Sequence, residues 1–93
     1  MYDCYNKDPD AVLDYGLEWD EWVIGSDTIV ASSWEVTGTD SALTINSDFQ
    51  DGLTTGVWLA GGTVGSLYIL TNHIETSAGR EDDRSFSVYI VER

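Results

Sequence analysis

The last third of the chain restricts most strongly what the protein can fold into. Residues 66–93 contain two runs rich in strand-forming residues, and a short polar connector over residues 77–83, with Gly79 inside it, separates them. Two such runs around a glycine-containing connector are typical of a long antiparallel hairpin. A chain of 93 residues that ends in this way is predicted to be an all-β module. Such modules usually act by presenting surfaces and loops rather than by enclosing a reaction.

The core faces of the two hairpin strands follow from the alternation of their apolar residues. These positions are Tyr68, Leu70 and Ile74 in the first strand and Phe86, Val88 and Ile90 in the second. Asn72 lies among them, and an inward amide must be hydrogen-bonded because leaving it unpaired costs about 1–3 kcal/mol. We therefore expect Asn72 to bond a neighbouring strand or loop.

Four earlier segments also carry strand patterns, with turn residues between them. They are residues 11–15, 28–36, 43–49 and 54–60. The third alternates strictly, which predicts a half-buried strand with Leu43 and Phe49 on the same side. Trp34 and Trp58 lie mid-strand and are predicted to pack in the core. Six to seven short strands with regular turns, in a chain without paired cysteines, predict a single immunoglobulin-like antiparallel β-sandwich of the non-antibody type.

The first ten residues differ in character from the rest of the chain. They are mostly polar and end in Asp8-Pro9-Asp10, where Pro9 fixes its own φ and biases Asp8 toward an extended conformation. We therefore predict an extended N-terminal arm over residues 1–10 and one β-sandwich over residues 11–93. The length suits a single domain, whose core is supplied largely by four Trp, five Tyr and two Phe residues.

The charge balance limits the classes of partner. The sequence has 17 acidic residues and 4 Lys or Arg residues, for a formal net charge of −13. Such a surface repels nucleic-acid phosphates and anionic lipid headgroups, so neither nucleic acid nor a membrane is predicted as a partner. No apolar run approaches the ~18 residues of a membrane span, and the N-terminus lacks the pattern of a signal peptide. The acidity fits solubility, attraction to a basic partner, or a lattice in which repulsion discourages wrong contacts.

No arrangement of residues predicts catalysis or a bound cofactor. His73 is the only histidine, and strand alternation predicts that it faces outward without a nucleophile partner. Cys4 is the only cysteine, which excludes an internal disulfide and fits synthesis in a reducing cytoplasm. The acidic residues 81–83 are predicted at the hairpin tip, flanked by Arg80 and Arg84, and they do not match a calcium-binding loop. We predict no metal site, although cation binding by the acidic loops stays an open alternative.

The acidic segment over residues 16–28 contains Trp19 and Trp22 but has no clean strand or helix spacing. We predict an ordered loop or one helical turn that tucks at least one Trp side chain under a sheet edge. Exposed indoles in this segment would instead form a platform that stacks on sugar rings or a hot spot for protein contact.

Three stretches of the sequence together resemble a known bacteriophage family. They read KDPDAVLDYGLEW at 7–19, DTIVASSWEV at 27–36 and TTGVWLAGGTVGSLYILTNHIETSAGREDDRSFSVYIVER at 54–93. These stretches are similar to small structural proteins of tailed bacteriophages that are often labelled fiber-tail adaptor proteins. The resemblance covers nearly the whole chain, and residues 37–53 match least well.

The resemblance implies a non-enzymatic virion component, assembled in the host cytoplasm, that works through protein–protein contacts. It implies capsid decoration or a place at the head–tail junction or the fibers, with major capsid, connector or fiber subunits, or further copies of itself, as partners. We expect the arm to lie on a neighbouring subunit, and the candidate contact residues are Tyr2, Tyr5, Lys7, Trp19 and Trp22. The alternative is a carbohydrate-binding adhesion module in which Trp19 and Trp22 stack on sugar rings.

Overall fold

The computed structural model describes residues 3–19 and 26–92, and these form seven β-strands in two sheets. The strands are β1 (Asp3–Lys7), β2 (Val12–Glu18), β3 (Ile29–Gly38), β4 (Leu43–Asp51), β5 (Thr54–Gly61), β6 (Leu67–Thr76) and β7 (Glu81–Ile90). One sheet has four strands in the order β1-β7-β6-β3, and the other has three in the order β2-β5-β4. The predicted all-β sandwich is confirmed, and the arrangement is consistent with an immunoglobulin-like fold.

The core lies between the sheets and is formed by apolar residues that alternate along the strands. Its buried members are Leu17, Trp19, Ile29, Leu43, Val57, Leu59, Tyr68, Leu70, Ile74, Phe86, Val88 and Ile90. The predicted core faces of β6 and β7 are therefore confirmed. Trp34 is partly buried beside this core, with its ring centroid 5.8 Å from that of Phe86, as predicted for a core-packing residue.

The β6–β7 hairpin extends further than its sequence pattern predicts. The strand register continues to the pair Glu75 and Glu81, so the acidic residues 81–83 lie within β7 and not at the hairpin tip. Gly79 has a φ of 87°, which allows a tight turn directly before β7. The predicted connector over residues 77–83 was too long, because charged side chains on an exposed sheet face do not interrupt a strand.

Asn72 hydrogen-bonds both sheets from the middle of the core. Its amide nitrogen donates to Ser32 Oγ and to the Ser33 carbonyl of the adjacent strand β3, both at 2.9 Å. Its Oδ1 accepts from Thr55 Oγ1 of the opposite sheet at 2.6 Å and from Trp19 Nε1 at 3.2 Å. The same indole N–H lies 3.0 Å from Thr55 Oγ1. Every donor and acceptor of the buried amide is thus used, which confirms the expectation for Asn72.

A register irregularity in β4 changes which side chains face the core. The pairing with β5 shifts between Ile45 and Ser47, as in a β-bulge. Leu43, before the bulge, is buried, whereas Phe49, after it, lies opposite Gly56 and is 39% exposed. The prediction that Leu43 and Phe49 share a side was wrong, because one extra residue exchanges the two faces of a strand.

Trp58 also faces outward, so its predicted core position was wrong. Its neighbours Val57 and Leu59 are fully buried, and the alternation of β5 turns the indole between them to the outer face of the sheet. Trp58 pairs there with Asp14 of β2 and is 39% exposed.

Residues 3–7 are extended, as expected of an arm, but they belong to the chain's own sheet. β1 pairs in parallel with β7, with Lys7 opposite Ile90, and the Val91 amide donates to the Lys7 carbonyl at 2.9 Å. The segment is therefore an edge strand of this sheet, and contact of its exposed residues with a neighbouring subunit stays a prediction. Without β1, one edge of β7 would leave its backbone donors and acceptors unpaired, which explains why the segment docks.

We expect Asn72→Leu to lower the free energy of unfolding by about 2–4 kcal/mol, because a side chain of similar size leaves the Ser33 carbonyl and the Thr55 hydroxyl without their partner. Urea denaturation followed by Trp fluorescence measures the loss. Asn6→Leu, at an exposed and regularly paired position of β1, is the matched control and should change stability by less than about 0.5 kcal/mol. Equal effects of the two substitutions would contradict the role assigned to Asn72.

Candidate functional site

The three predicted contact residues that the structure describes, Tyr5, Lys7 and Trp19, do not form one surface, because two of them are fully buried. Of the five, Tyr2 and Trp22 lie outside the described residues. Tyr5 packs its ring on Tyr15 and Phe86, with centroids 5.2 and 5.5 Å away, and stays 39% exposed. Tyr5 thus keeps accessible surface at the β1 edge of the four-stranded sheet.

Lys7 is fully buried and joins the two sheets. Its Nζ donates to the Gly61 carbonyl at the end of β5, at 2.8 Å, and to the Asp8 carbonyl at 2.9 Å. Burial lowers the pKa of Lys7, and the nearby carboxylates of Asp8 and Asp10 oppose that shift. In this position the Lys7 side chain contributes to internal structure and is not available to a partner.

Trp19 is fully buried in the core, as expected of at least one Trp of the acidic segment. Residues 20–25, on which the predicted loop or helical turn falls, lie outside the described residues. Its amide donates to the Leu53 carbonyl at 2.9 Å, and the Arg84 guanidinium lies 5.2 Å from the centre of its ring. Arg84 also donates to the Glu18 carbonyl at 2.6 Å. The indole does not reach the surface, so neither a sugar platform nor a contact hot spot includes it in this structure.

The outer face of the four-stranded sheet carries the only histidine of the sequence. His73 lies opposite Asp83 in the β6–β7 register, with Nδ1 2.5 Å from Asp83 Oδ1 and Nε2 3.1 Å from Glu81 Oε1. A neutral imidazole has one N–H donor, so both hydrogen bonds together require the protonated ring. The hydrogen bond to Asp83 raises the pKa of His73, desolvation opposes this shift, and Glu81 adds to the rise.

An open groove of about 510 Å³ lies beside this histidine. It is lined by Ser33, Trp34, Glu35, Thr71, His73 and Asp83. The predicted outward position of His73 is confirmed, but its carboxylate partners were missed, because residues 81–83 were assigned to the turn instead of the strand facing β6. Within residues 3–19 and 26–92, no group of three or more His, Cys, Asp or Glu side chains is placed to hold a metal ion. The same residues include no helix with the length and apolar character needed to cross a membrane.

The outer face of the three-stranded sheet carries an exposed aromatic pair that the sequence patterns did not reveal. Trp58 and Phe49 are each 39% exposed, and Val12 on the same sheet is 52% exposed. The Phe49 ring lies directly over Gly56, where an added Cβ would overlap it. Strict alternation in β5 is the signal that places Trp58 on this face.

We expect His73→Gln to destabilise the protein more at about pH 5.5 than at about pH 8. The pKa of His73 is higher in the folded than in the unfolded protein, so its stabilising effect is complete below about pH 6.5 and is lost as the pH rises through the folded pKa. The difference in unfolding free energy between variant and parent, measured by urea denaturation at both pH values, tests this. Thr71→Val, on the same face of β6, is the control, and a pH-independent effect of His73→Gln would argue against the ion-paired imidazolium.

Comparison with models of known protein families identifies the family of the chain. No curated protein matches the chain. The model of the family described as podophage GP4 fiber-tail adaptor protein gp77 matches residues 7–89. The matched region begins at the last residue of β1 and includes all of β2 to β6 and most of β7, so it takes in both sheets and both outer faces. The resemblance seen in the sequence is thereby confirmed, and the chain belongs to the podophage GP4 fiber-tail adaptor protein family.

Proposed function

We propose that this protein is a non-enzymatic adaptor that joins fiber and tail components of a podophage virion through protein–protein contacts. The observation that carries the proposal is the family match over residues 7–89, which is nearly the whole chain. The family is one of structural phage proteins, so a structural role in the virion follows from membership. The contacts with fiber and tail are the proposed part.

The architecture supports an adaptor that meets two partners. Asn72 and Lys7 both connect the sheets by buried hydrogen bonds, so the two outer faces hold a fixed relation to each other. The faces also differ in chemistry. The four-stranded sheet presents His73 between carboxylates, and the three-stranded sheet presents exposed aromatic rings. A rigid body with two unlike faces can bind two different proteins without competition between them.

The proposed partners are connector and fiber subunits, met during assembly in the host cytoplasm. The alternative position is capsid decoration, with the major capsid protein or further copies of this chain as neighbours. The family description names fiber and tail, which favours the first position. The two positions differ sharply in copy number, because a tail component repeats with the low rotational symmetry of the tail and a decoration protein repeats with the capsid lattice.

We expect purified virions to contain this protein at a copy number far below that of the major capsid protein. Quantitative mass spectrometry with isotope-labelled peptides measures the ratio, and peptides of a tail subunit in the same sample serve as the calibrant. A copy number close to that of the major capsid protein would favour capsid decoration over the adaptor position. Absence of the protein from particles that contain all other structural proteins would contradict any structural role in the virion.

A further inference from the structure

The outer face of the three-stranded sheet combines exposed aromatic rings with negative charge. We call it the acidic aromatic face, and it is defined by Asp14, Gly16, Glu18, Phe49, Asp51 and Trp58. The register places these side chains on one side of the sheet. Asp14 pairs with Trp58, while Gly16 and Phe49 both pair with Gly56. Thr54, two residues before Gly56, pairs with the other two acidic residues.

The two aromatic rings stay partly exposed on this face. Phe49 covers Gly56, whereas Gly16, on the other side of Gly56, is exposed. Because Gly16 has no side chain, its backbone is left uncovered near the rings of Phe49 and Trp58, each of which is 39% exposed. Exposed apolar surface rimmed by polar groups is a common feature of interaction sites on folded proteins.

The charges around the rings specify a cationic partner. Asp14, Glu18 and Asp51 are exposed, and no Lys or Arg of the described residues lies on this face. The described cations belong to other elements, namely Lys7 on β1, Arg80 in the β6–β7 turn and Arg84 on β7. Of these, Arg84 reaches the Glu18 carbonyl at one end of the face, away from Trp58 and Asp14 in the register. A second copy of a chain with a net charge of −13 would bring like charges together. Self-association through this face is therefore disfavoured.

The chain itself contains the kind of contact that suits the acidic aromatic face. The Arg84 guanidinium lies over the Trp19 ring, 5.2 Å from its centre, and donates to the Glu18 carbonyl at 2.6 Å. Trp58 offers a second indole, this one exposed, with the exposed carboxylate of Asp14 opposite it in the register. A guanidinium can stack on an indole and bond a carboxylate at the same time, and its planar fork does so better than a Lys ammonium.

We infer that the acidic aromatic face docks an arginine-bearing surface of a neighbouring virion protein, with one guanidinium stacked on Trp58 and paired with Asp14. The inference rests on the proposed function, since it names the face by which the adaptor meets one of its partners. Glu18 and Asp51 lie at the end of the face, opposite Thr54, and attract further positive charge on the same partner.

Incorporation into virions tests this inference directly. A phage that lacks the gene is grown in cells that supply the protein from a plasmid, and mass spectrometry gives the occupancy of each variant. We expect Trp58→Ala to lower occupancy at least about tenfold, as for an interface anchor. Val64→Ala is the control, because Val64 is an exposed apolar residue (49%) in the β5–β6 connection and lies on no strand of either sheet. It should leave occupancy within about twofold of the parent.

Gly16→Val is a second variant that keeps both aromatic rings. A Cβ at Gly16 meets only ordinary contacts, 3.4 Å from the Thr55 carbonyl oxygen and 4.0 Å from Thr54 Cγ2, and the φ of Gly16 is not positive. Valine suits a strand, so the variant should fold with an unchanged melting temperature. The Val side chain projects from the sheet on the same face as Phe49. We therefore expect Gly16→Val to reduce the occupancy of the protein in virions, as Trp58→Ala does.

Photo-cross-linking identifies the occupant of the face. Ser47→p-benzoylphenylalanine, at the exposed position opposite Trp58 in the β4–β5 register, keeps the indole and in assembled virions should capture an arginine-containing peptide of another virion protein. Normal occupancy of both Trp58→Ala and Gly16→Val would overturn the inference while leaving the adaptor function in place. Absence of the wild-type protein from virions would overturn the proposed function itself. Cross-links only to a second copy of this chain, or glycan binding that is lost in Trp58→Ala, would overturn the assignment of an arginine-bearing protein.

Discussion

A buried polar contact between the two sheets holds the sandwich in one arrangement. Through a single side chain, Asn72 bonds β3, the opposite sheet at Thr55, and Trp19 beyond the end of β2. Apolar packing alone accepts several arrangements of similar volume, whereas an amide with four directional bonds fits only one. Trp19 in turn lies beneath the Arg84 side chain, so the part of β7 that contains Arg84 also packs against this contact. The positions of both outer faces follow from it.

The fixed sandwich presents two faces that suit different partners. On the four-stranded sheet, His73 and its carboxylates make a polar surface whose charge changes with pH. On the three-stranded sheet, Trp58 and Phe49 add apolar area inside a rim of negative charge. The high acidity of the chain is therefore more than a general aid to solubility, because on one face it selects the sign of the partner's charge.

The core was predictable where the prediction followed the alternation of apolar residues, as for Tyr68 and Phe86 in the hairpin strands. It failed for Trp58, because the indole was assigned to the core by its size although Val57 and Leu59 on either side take the inward positions. Prediction failed for Phe49, because the bulge before it adds one residue without any sequence sign and exchanges the faces of β4. The pairing of His73 with Asp83 depends on the exact cross-strand register, which turn residues alone do not determine. The burial of Lys7 could not be predicted either, because one of the carbonyls that accept a hydrogen bond from its ammonium group lies 54 positions away in the chain.

The place of β7 in its sheet sets the order in which a newly made chain can fold. β7 lies between β1 and β6, so the four-stranded sheet lacks an inner strand until β7 has left the ribosome. β1 can pair with β7 only after about 80 further residues have been synthesised. Contacts over so long a sequence separation form slowly, because the entropy cost of closing the intervening loop is large. Until then the edges of β1 and β6 are open, and open edges on neighbouring nascent chains invite aggregation. Mutual repulsion between chains of charge −13 opposes that encounter during the interval before the sheet is complete.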